Sequence, residues 1–439
     1  MDESQQQPAV NEQKPETNES KRKKKYRIIL ALEAAFIIVV FVGLAASGAL
    51  MTLRVYIGTE MPSETMETQV VSFSDAAFEK AFREALSLAD DEIITNDMLN
   101  SIKELDLSDK GLSNISDIEY FKELTMLNLS YNNISDISAL GNLTNLWSLD
   151  LKHNNISDIS ALGNLTNLQG LYLRDNEISD ISALGNLTNL QTLYLLGNEI
   201  SDISALRSLT NLQALNLSGN SISSISALGN LTNLRELNLF CNEISDISAL
   251  ENLTNLQTLA LDDNNIRYIS ALGNLTNLQA LNLCSTNISD ISALENLTNL
   301  QTLDLSNNNI SDISALRSLT NLQVLDLMLN NISDISALGN LTNLRELNLS
   351  NNNIRYISVL GNLTNLQTLY LYVNEISDIS ALGSLTNLQL LDLMLNNISD
   401  ISALGNLSGL SLLDLSNNNL TEQQVEELRR KLPQAEIQS

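Results

Sequence analysis

Histidine and cysteine are almost absent from this sequence, which has one histidine, His153, and two cysteines, Cys241 and Cys284, in 439 residues. Three such residues are too few to form a zinc site of the usual cysteine and histidine type. Two cysteines are too few to form a disulfide framework. Catalysis by histidine would depend on that single residue. The sequence therefore predicts a protein that is not an enzyme, with no catalytic site, no metal site and no cofactor.

Basic residues are also scarce, at 24 against 52 acidic residues, which gives a formal net charge of −28. Six of the seven basic residues that precede Glu33 lie between Lys21 and Arg27, so the rest of the chain is strongly negative. Nucleic-acid binding depends on a positive surface. The charge balance therefore argues against a nucleic-acid partner.

The first 53 residues differ in composition from the rest. Residues 1–27 are polar and end in a basic run, which predicts a disordered cytoplasmic tail. Residues 28–53 carry Glu33 as their only charge and are long enough to cross a hydrocarbon core, which needs about 20 residues. The basic flank favours a single-pass signal-anchor in the cell membrane, with the N-terminus in the cytoplasm and everything after Arg54 outside. A cleaved secretory signal is the alternative, because small residues at 45–49 offer a cleavage site.

Two short segments separate this region from the main part of the chain. Residues 54–70 are predicted to be a polar stalk. Residues 71–101 are predicted to be a helical N-terminal cap, because apolar residues recur at helical spacing from Ala77 to Leu86 with Ser74 as the expected N-cap. A second short helix is expected to begin near Thr95 and to bury Met98 and Leu99.

A repeat of 22 residues then continues without insertion or deletion through 15 units, from Ile102 to the unit that begins at Leu410. We number the positions of each unit from 0 to 21. Apolar residues occupy positions 0, 3, 5, 10, 13, 16 and 19, as in the unit that begins at Leu300. This regularity is typical of a solenoid in which each unit is one coil and the apolar positions fill a continuous core.

Each coil is predicted to contribute one short strand, because positions 3 and 5 are leucine and alternate with variable residues. The stacked strands would form a long parallel sheet, and we call its face away from the core the strand face. Asparagine at position 8 is expected to satisfy the backbone of the turn that follows, and Thr286 breaks this column once. The rest of the coil is too short for a full helix and predicts a turn or 3₁₀ segment on the convex side.

The pattern L-x-x-L-x-L-x-x-N-x-I resembles the leucine-rich repeat, and the 22-residue length with "N-x-I-S-D-I-S-x-L-x-N-L-T-N-L" resembles the bacterial internalin-like subfamily of cell-surface proteins. The helical segment before the repeats is similar to the cap of that family. The resemblance implies an α/β solenoid over residues 102–420 whose strand face is concave. Residues 421–439 are predicted to be a C-terminal capping segment whose helix has Thr421 as N-cap, has Val425, Leu428 and Leu432 directed inward, and ends at Pro433. Internalins bind unrelated partners on one scaffold, so the resemblance leaves the ligand open.

The strand face is expected at positions 2, 4, 6 and 7, and there the units differ most. Tyr172 and Tyr194 share position 4 in adjacent coils. Large apolar side chains on an exposed sheet are what a protein partner would bury, although scattered apolar residues are normal on any surface. A second group of such residues lies downstream. It consists of Met328, Leu329, Tyr370, Tyr372, Val373, Met394 and Leu395.

Three other sets of residues invite a functional interpretation. Tyr131, His153 and Asp175 share position 7 in successive coils and are interpreted as a polar contact point. The aspartates at position 12, such as Asp158, are interpreted as caps of the following turn, with calcium binding as the alternative. Arginine precedes an outlying tyrosine at both Tyr268 and Tyr356, which suggests a secondary contact on the convex side.

Cys241 and Cys284 lie two coils apart in the predicted solenoid. This separation is about 10 Å at the strand spacing of a sheet, and it is too large for an unstrained disulfide. Both are therefore predicted to be thiols.

Together these features predict an envelope-anchored, exported and non-catalytic leucine-rich-repeat module that binds a macromolecular partner, expected to be a protein, on its concave face. The membrane contact is predicted through residues 28–53. The alternatives are a surface adhesin released by signal cleavage, a glycan-binding protein and a structural spacer. A signalling role through the N-terminal tail would need a recruited partner, because 27 polar residues form no catalytic domain.

Overall fold

The computed structural model describes residues 69–439. The predicted tail, the predicted transmembrane segment and residues 54–68 of the predicted stalk lie outside the described residues. Within residues 69–439, no helix has both the length and the apolar character needed to cross a membrane.

The described part is one parallel solenoid in which every coil contributes a three-residue strand. The strands β1 to β16 pair in strict chain order, and all pairs are parallel. Their bounds are Glu104–Asp106, Met126–Asn128, Ser148–Asp150, Gly170–Tyr172, Thr192–Tyr194, Ala214–Asn216, Glu236–Asn238, Thr258–Ala260, Ala280–Asn282, Thr302–Asp304, Val324–Asp326, Glu346–Asn348, Thr368–Tyr370, Leu390–Asp392, Leu412–Asp414 and Glu436–Gln438. Partners from β1 to β15 are 22 residues apart, as in Leu303 with Leu325, so the sheet keeps one register along these strands.

The side of each coil opposite the strand is a 3₁₀ segment. These segments span Ser116–Tyr120, Ser138–Asn142, Ser160–Asn164, Ser182–Asn186, Ser204–Ser208, Ser226–Asn230, Ser248–Leu250, Ser270–Leu272, Ser292–Leu294, Ser314–Ser318, Ser336–Asn340, Ser358–Asn362, Ser380–Ser384 and Ser402–Asn406. The predicted short convex turns are confirmed as 3₁₀ segments. The leucines and isoleucines of the seven inward positions are buried in one continuous core, which confirms the repeat assignment.

Asparagine at position 8 fastens each coil to its neighbours. Asn308 donates through Nδ2 to the carbonyl oxygens of Leu283 and Leu305 at 2.8 and 3.0 Å, and its Oδ1 accepts from the Ile288 N–H at 3.0 Å. The amide thus satisfies buried backbone groups of two coils, as predicted. At the break, Thr286 Oγ1 donates to the Leu283 carbonyl at 2.7 Å.

Two helices form the N-terminal cap: α1 spans Ala76–Leu86 and α2 spans Asn96–Ser101. The predicted N-cap Ser74 is wrong by one residue. Asp75 caps α1, and its side chain accepts from the N–H groups of Ala77 and Phe78. Ser74 is instead held by the buried carboxylate of Asp117, which accepts from its N–H and hydroxyl at 2.9–3.0 Å.

The cap is fixed to the first coil by a cluster of aromatic rings. Phe73 packs against Phe78, Phe82 and Phe121 with ring centroids 5.3–6.0 Å apart. Thr95 caps α2 as predicted, and Leu99 is fully buried while Met98 is half-buried. Val70, which the sequence assigned to the stalk, forms an antiparallel bridge with Thr95.

The C-terminal cap consists of helix α3, Glu422–Lys431, and strand β16. Thr421 and Gln424 form a reciprocal capping box at the start of α3, and Val425, Leu428 and Leu432 are buried as predicted. The helix ends before Pro433, as predicted, but the strand that follows within the predicted cap was not predicted. There the chain turns back, and β16 pairs with β15 and covers the open edge of the sheet.

Candidate functional site

Position 7 of every coil has a left-handed backbone. The fifteen residues with this conformation are Asp109, Tyr131, His153, Asp175, Gly197, Gly219, Cys241, Asp263, Ser285, Asn307, Leu329, Asn351, Val373, Leu395 and Asn417. Glycine, asparagine and aspartate tolerate this region, whereas bulky or β-branched residues in it are outliers that cost about 1–3 kcal/mol each. Tyr131, Leu329, Val373 and Leu395 therefore occupy position 7 at a cost in stability.

Position 6 is less accessible than the sequence predicts. Ser218 and Ser350 are fully buried, and Leu196, Phe240 and Asp262 are nearly so. In the coils of Ser218, Phe240 and Ser350 the reason is local, because the asparagine at position 4 folds back over position 6. In the coil of Asn216, for example, the side-chain oxygen accepts from the Ser218 N–H and hydroxyl at 3.0 and 2.7 Å. The expectation that all of positions 2, 4, 6 and 7 point outward is therefore wrong for much of position 6.

The downstream group of predicted residues forms a continuous surface, which we call the apolar patch. It consists of Met328, Leu329, Tyr370, Tyr372, Val373, Met394 and Leu395. The Tyr372 hydroxyl lies 3.1 Å from Met328 Sδ, although the two residues are two coils apart. Leu329 and Leu395 are 44% and 45% exposed, and the other members are half-buried. The structure thus brings together Met328 and Tyr372, which are 44 positions apart in sequence.

Carboxylates surround the apolar patch. Burial raises the pKa of the Tyr370 phenol, and the neighbouring Glu346, Asp392 and Asp326 raise it further. Desolvation raises the pKa of Asp326 to about 6, although its oxygens accept from the Met328 N–H at 2.8 Å and from Asn348 Nδ2 at 3.0 Å. The patch therefore combines apolar area with partly desolvated negative charge.

Burial on the strand face also perturbs groups that the sequence did not single out. Asp262 is 7% exposed, and its Oδ1 has no hydrogen-bond partner in the described part of the chain. Desolvation raises its pKa to about 8, with smaller contributions from Asp304 and Asp263. Desolvation likewise raises the pKa of the Cys284 thiol to about 11. An acidic residue at position 6, where no other coil carries one, is the signal that identifies Asp262.

The upstream tyrosines pack on each other rather than project. The rings of Tyr172 and Tyr194 meet edge to face with centroids 5.5 Å apart. Desolvation raises the pKa of Tyr194 to about 12. A Cβ on Gly170 would lie 3.4 Å from the Tyr172 ring, so the absence of a side chain at position 2 gives that ring room to lie along the strand. Sequence reasoning missed Gly170, and a lone glycine in the strand was the available signal.

Tyr131, His153 and Asp175 form a contiguous cluster. The rings of Tyr131 and His153 stack with centroids 4.4 Å apart, and His153 Nδ1 lies 3.3 Å from Asp175 Oδ2. Arg174 Nε donates to the same carboxylate oxygen at 2.8 Å. A Cβ on Gly197 would lie 2.3 Å from Asp175 Oδ1, so a side chain at that position would require the Asp175 carboxylate to move. Desolvation lowers the pKa of His153, against the opposing field of Asp175.

The aspartates at position 12 make the bonds that the capping interpretation predicts. Asp158 Oδ1 accepts from the Ser160 N–H at 2.8 Å, and the same bond recurs in nine other coils. This bond lowers the pKa of the Asp158 carboxyl group. Tyr268 and Tyr356 are 82% and 80% exposed, away from the strand face. No disulfide joins Cys241 and Cys284 in the described structure, as their separation predicts.

The repeats match known family models along nearly their whole length. A model described as a leucine-rich repeat region matches residues 101–268 and 240–382, and two further leucine-rich-repeat models match residues 384–404 and 409–430. The chain therefore belongs to the leucine-rich-repeat proteins, within which it is internalin-like. No curated protein matches the sequence significantly.

Solved structures support the internalin-like assignment. An internalin of Listeria monocytogenes, inlF, is 39% identical over 79% of this chain and 96% of its own, with a TM-score of 0.68. A leucine-rich-repeat protein of Leptospira interrogans is 27% identical over 78% of this chain and 97% of its own, with a TM-score of 0.72. The plant peptide hormone receptor RGFR1, solved in complex with RGF2, is 26% identical over 77% of this chain and 63% of its own, with a TM-score of 0.66.

Proposed function

We propose that this protein is a non-catalytic recognition module that binds a partner protein through the apolar patch on the concave strand face. The single observation that carries the proposal is the set of Leu329, Val373 and Leu395 in a left-handed backbone that favours asparagine or glycine. Asparagine, which occupies the same position at Asn307, Asn351 and Asn417, fits that backbone with less strain. Strain that is retained at an exposed surface is typical of a functional site.

The chemistry of the patch indicates the kind of partner. Tyrosine, methionine and leucine are residues that protein interfaces bury, and their burial would supply most of the affinity. The surrounding carboxylates, Asp326, Glu346 and Asp392, would pair with lysine or arginine at the rim. The partner is therefore a protein that presents an apolar protrusion flanked by basic residues. The structural similarity to the plant peptide hormone receptor RGFR1, which was solved in complex with RGF2, is consistent with such recognition.

We further propose that the module is exported and held at the cell membrane by residues 28–53, with the repeats outside the cytoplasm. The basic run before the apolar segment supports this orientation. Sequencing the N-terminus of the mature protein from membranes tests it, and an intact N-terminus in the membrane fraction is the expected result. A mature chain that begins after residue 45 and is found in the medium would instead make the protein a secreted adhesin.

The test of recognition is a capture experiment with the full-length protein. The test variant changes Tyr370, Tyr372, Met394 and Leu395 to Ser. The matched control changes Tyr268 and Tyr356 to Ser, because these tyrosines are more exposed than any residue of the patch but lie away from the strand face. We expect envelope or host-cell extracts to contain a protein that is retained by the wild type and the control and lost by the test variant.

Other outcomes of this experiment have defined meanings. Equal retention by all three proteins would contradict the patch as the binding site and direct attention to Tyr172 and Tyr194. Retention by none would contradict protein recognition and favour a glycan ligand or the spacer interpretation. Circular dichroism of each variant shows whether it folds, so that a loss of retention can be assigned to the surface.

A further inference from the structure

A groove runs along the edge of the sheet where the chain enters each strand, and we call it the edge groove. It has two stretches of about 870 and 640 Å³ that share Gln257 and Asn277, and together they extend from Gln169 to Asn387. The groove lies beside the apolar patch and contains none of its residues. The function proposed above does not use it.

Two columns of side-chain amides line the edge groove. The first is at position 1, and its members are Gln169, Gln191, Gln213, Arg235, Gln257, Gln279, Gln301, Gln323, Arg345 and Gln367. The second is the asparagine at position 21 of the preceding coil. Apart from two arginines, every residue that lines the groove is an asparagine or a glutamine.

Both columns are held in register by the solenoid. The backbone N–H of each position-1 residue donates to the carbonyl of the preceding one at 2.8 Å, as between Gln301 and Gln279, so the sheet ladder includes this column. Each asparagine is fixed as well, because its Nδ2 donates to a threonine carbonyl one coil back, at 2.8 Å between Asn299 and Thr276. The same bond, at 2.8–2.9 Å, holds ten asparagines along the groove. The bound nitrogen leaves Oδ1 as an acceptor for a ligand.

The charge in the groove is opposite to that of the chain. Arg235 and Arg345 are exposed, and neither guanidinium forms an ion pair with any residue in 69–439. No carboxylate lines the groove, whereas the chain carries a net charge of −28. The groove is therefore the neutral to positive strip of an acidic protein, and it suits a long polar ligand with sparse negative charge.

We propose that the edge groove binds a linear acidic polysaccharide of the uronic-acid type. Sugar hydroxyls donate and accept hydrogen bonds, and so do the carboxamides of the two columns. An extended 1,4-linked uronic-acid chain, such as polygalacturonate, advances by roughly the strand spacing of about 4.8 Å per sugar, so successive sugars meet successive coils. Arg235 and Arg345 pair with the uronate carboxylates.

The competing polymers fit less well. An extended peptide advances about 6.6 Å for every two residues, which is out of step with the coils, and the groove offers no apolar pocket for its side chains. A nucleic acid carries a charge on every phosphate, and two arginines along ten coils would leave nearly all of them without a counter-charge.

The test is affinity electrophoresis of the full-length protein in native gels that contain polygalacturonate. The first variant is Arg235→Gln with Arg345→Gln, which places in both coils the residue that most other coils have at position 1. The second is Gln279→Ser, Gln301→Ser and Gln323→Ser, a change that the chain itself tolerates at Ser411. The matched control is Asn309→Ser, Asn331→Ser and Asn353→Ser. It removes three exposed amides at position 9, where Ser221 occurs naturally.

We expect polygalacturonate to retard the wild type and the control equally, and each of the two groove variants to bind at least tenfold more weakly. The apolar-patch variant should bind polygalacturonate like the wild type, which separates this proposal from the one above. Absence of retardation of the wild type, or equal retardation of both groove variants, overturns the proposal. Equal retardation by poly-glutamate also overturns it, because that result would indicate simple attraction of an acidic polymer.

Discussion

Asp262 shows how a single buried carboxylate affects the behaviour of the strand face. Its Oδ1 lacks a partner, and Asp304, Asp263 and Cys284 are the titratable groups in its vicinity. Its folded-state pKa of about 8 lies far above the value of about 4 for an aspartate in an unfolded chain. The folded protein therefore binds a proton that the unfolded chain has already released.

This difference predicts the sign of a pH dependence. The stabilisation from Asp262 is complete below about pH 4 and is lost as the pH rises to about 8, because the unfolded state then binds fewer protons. The Asp262→Asn variant has no carboxylate to titrate and therefore does not lose this stability as the pH rises. The melting temperature of the wild type should fall more between pH 5 and pH 9 than that of the variant. The difference corresponds to a few kcal/mol, on the order expected from such a shift. Asp263→Asn, at an exposed neighbouring position, is the control, and identical pH profiles for Asp262→Asn and the wild type would contradict the prediction.

The left-handed position 7 gives a second prediction at the residue scale. Val373 is β-branched with φ of 54°, whereas Asn307, Asn351 and Asn417 occupy the same position with similar backbones. Val373→Asn should therefore raise the free energy of unfolding by about 1 kcal/mol through relief of backbone strain. It should also weaken the capture of the partner protein, because it removes apolar area from the patch. A variant that is less stable than the wild type in thermal unfolding would refute the claim that Val373 is strained.

At the scale of elements, the asparagine column explains how strands of three residues form a stable sheet. The column begins at Asn132 and is interrupted in one coil, where Thr286 replaces asparagine. In the coils on either side, the isoleucine N–H at position 10 donates to the next asparagine, as from Ile244 to Asn264 and from Ile288 to Asn308. The corresponding N–H of the fully buried Ile266 finds no acceptor among the described residues. An unsatisfied buried donor of this kind costs about 1–3 kcal/mol.

Thr286→Asn should therefore stabilise the protein by a similar amount. The new Oδ1 would accept from the Ile266 N–H, and the new Nδ2 would donate to the carbonyl oxygens of Leu261 and Leu283, as in every intact coil. The matched comparison is Asn308→Thr, which creates a second break and should destabilise the protein. Chemical denaturation of the three proteins measures both effects. A Thr286→Asn protein that unfolds at lower denaturant than the wild type would show that the break is required for packing.

The elements could be predicted because each depends on a few neighbouring residues in the sequence. Strand positions, inward leucines, 3₁₀ turns and the caps at Thr95 and Thr421 all follow from the repeat pattern. What the sequence could not provide depends on contacts between coils or across a turn. Examples are the burial of position 6 under position 4, the reach of Tyr372 to Met328 and the return of the chain as β16 after Pro433. The candidate site was predicted as a set of residues, and its contacts and its acidic surroundings came from the structure.

At the scale of the whole molecule, a solenoid has two open ends that would expose its core. Helix α3 and strand β16 close the last coil, and the cap with α1 and α2 closes the first. Val425→Asp should uncover the final coil and cause association through the exposed leucines, together with a lower melting temperature. Gln423→Asp, which places the same charge at an exposed position of α3, is the control. Size-exclusion chromatography with light scattering measures the result, and a monomeric Val425→Asp protein would show that the cap is dispensable.

The unbroken 22-residue register also determines how the number of coils, and with it the length of the protein, can change in evolution. A whole coil can be gained or lost without disturbing its neighbours, because each coil presents the same two faces for stacking. The separation between two surface features can then change only in steps of about one strand spacing, near 4.8 Å. Arg235 and Arg345 are five such steps apart. Surface features of the molecule thus lie at fixed intervals of one coil. Unequal recombination between the gene segments that encode the coils would change those intervals and produce proteins that match polymers with a different spacing of charge.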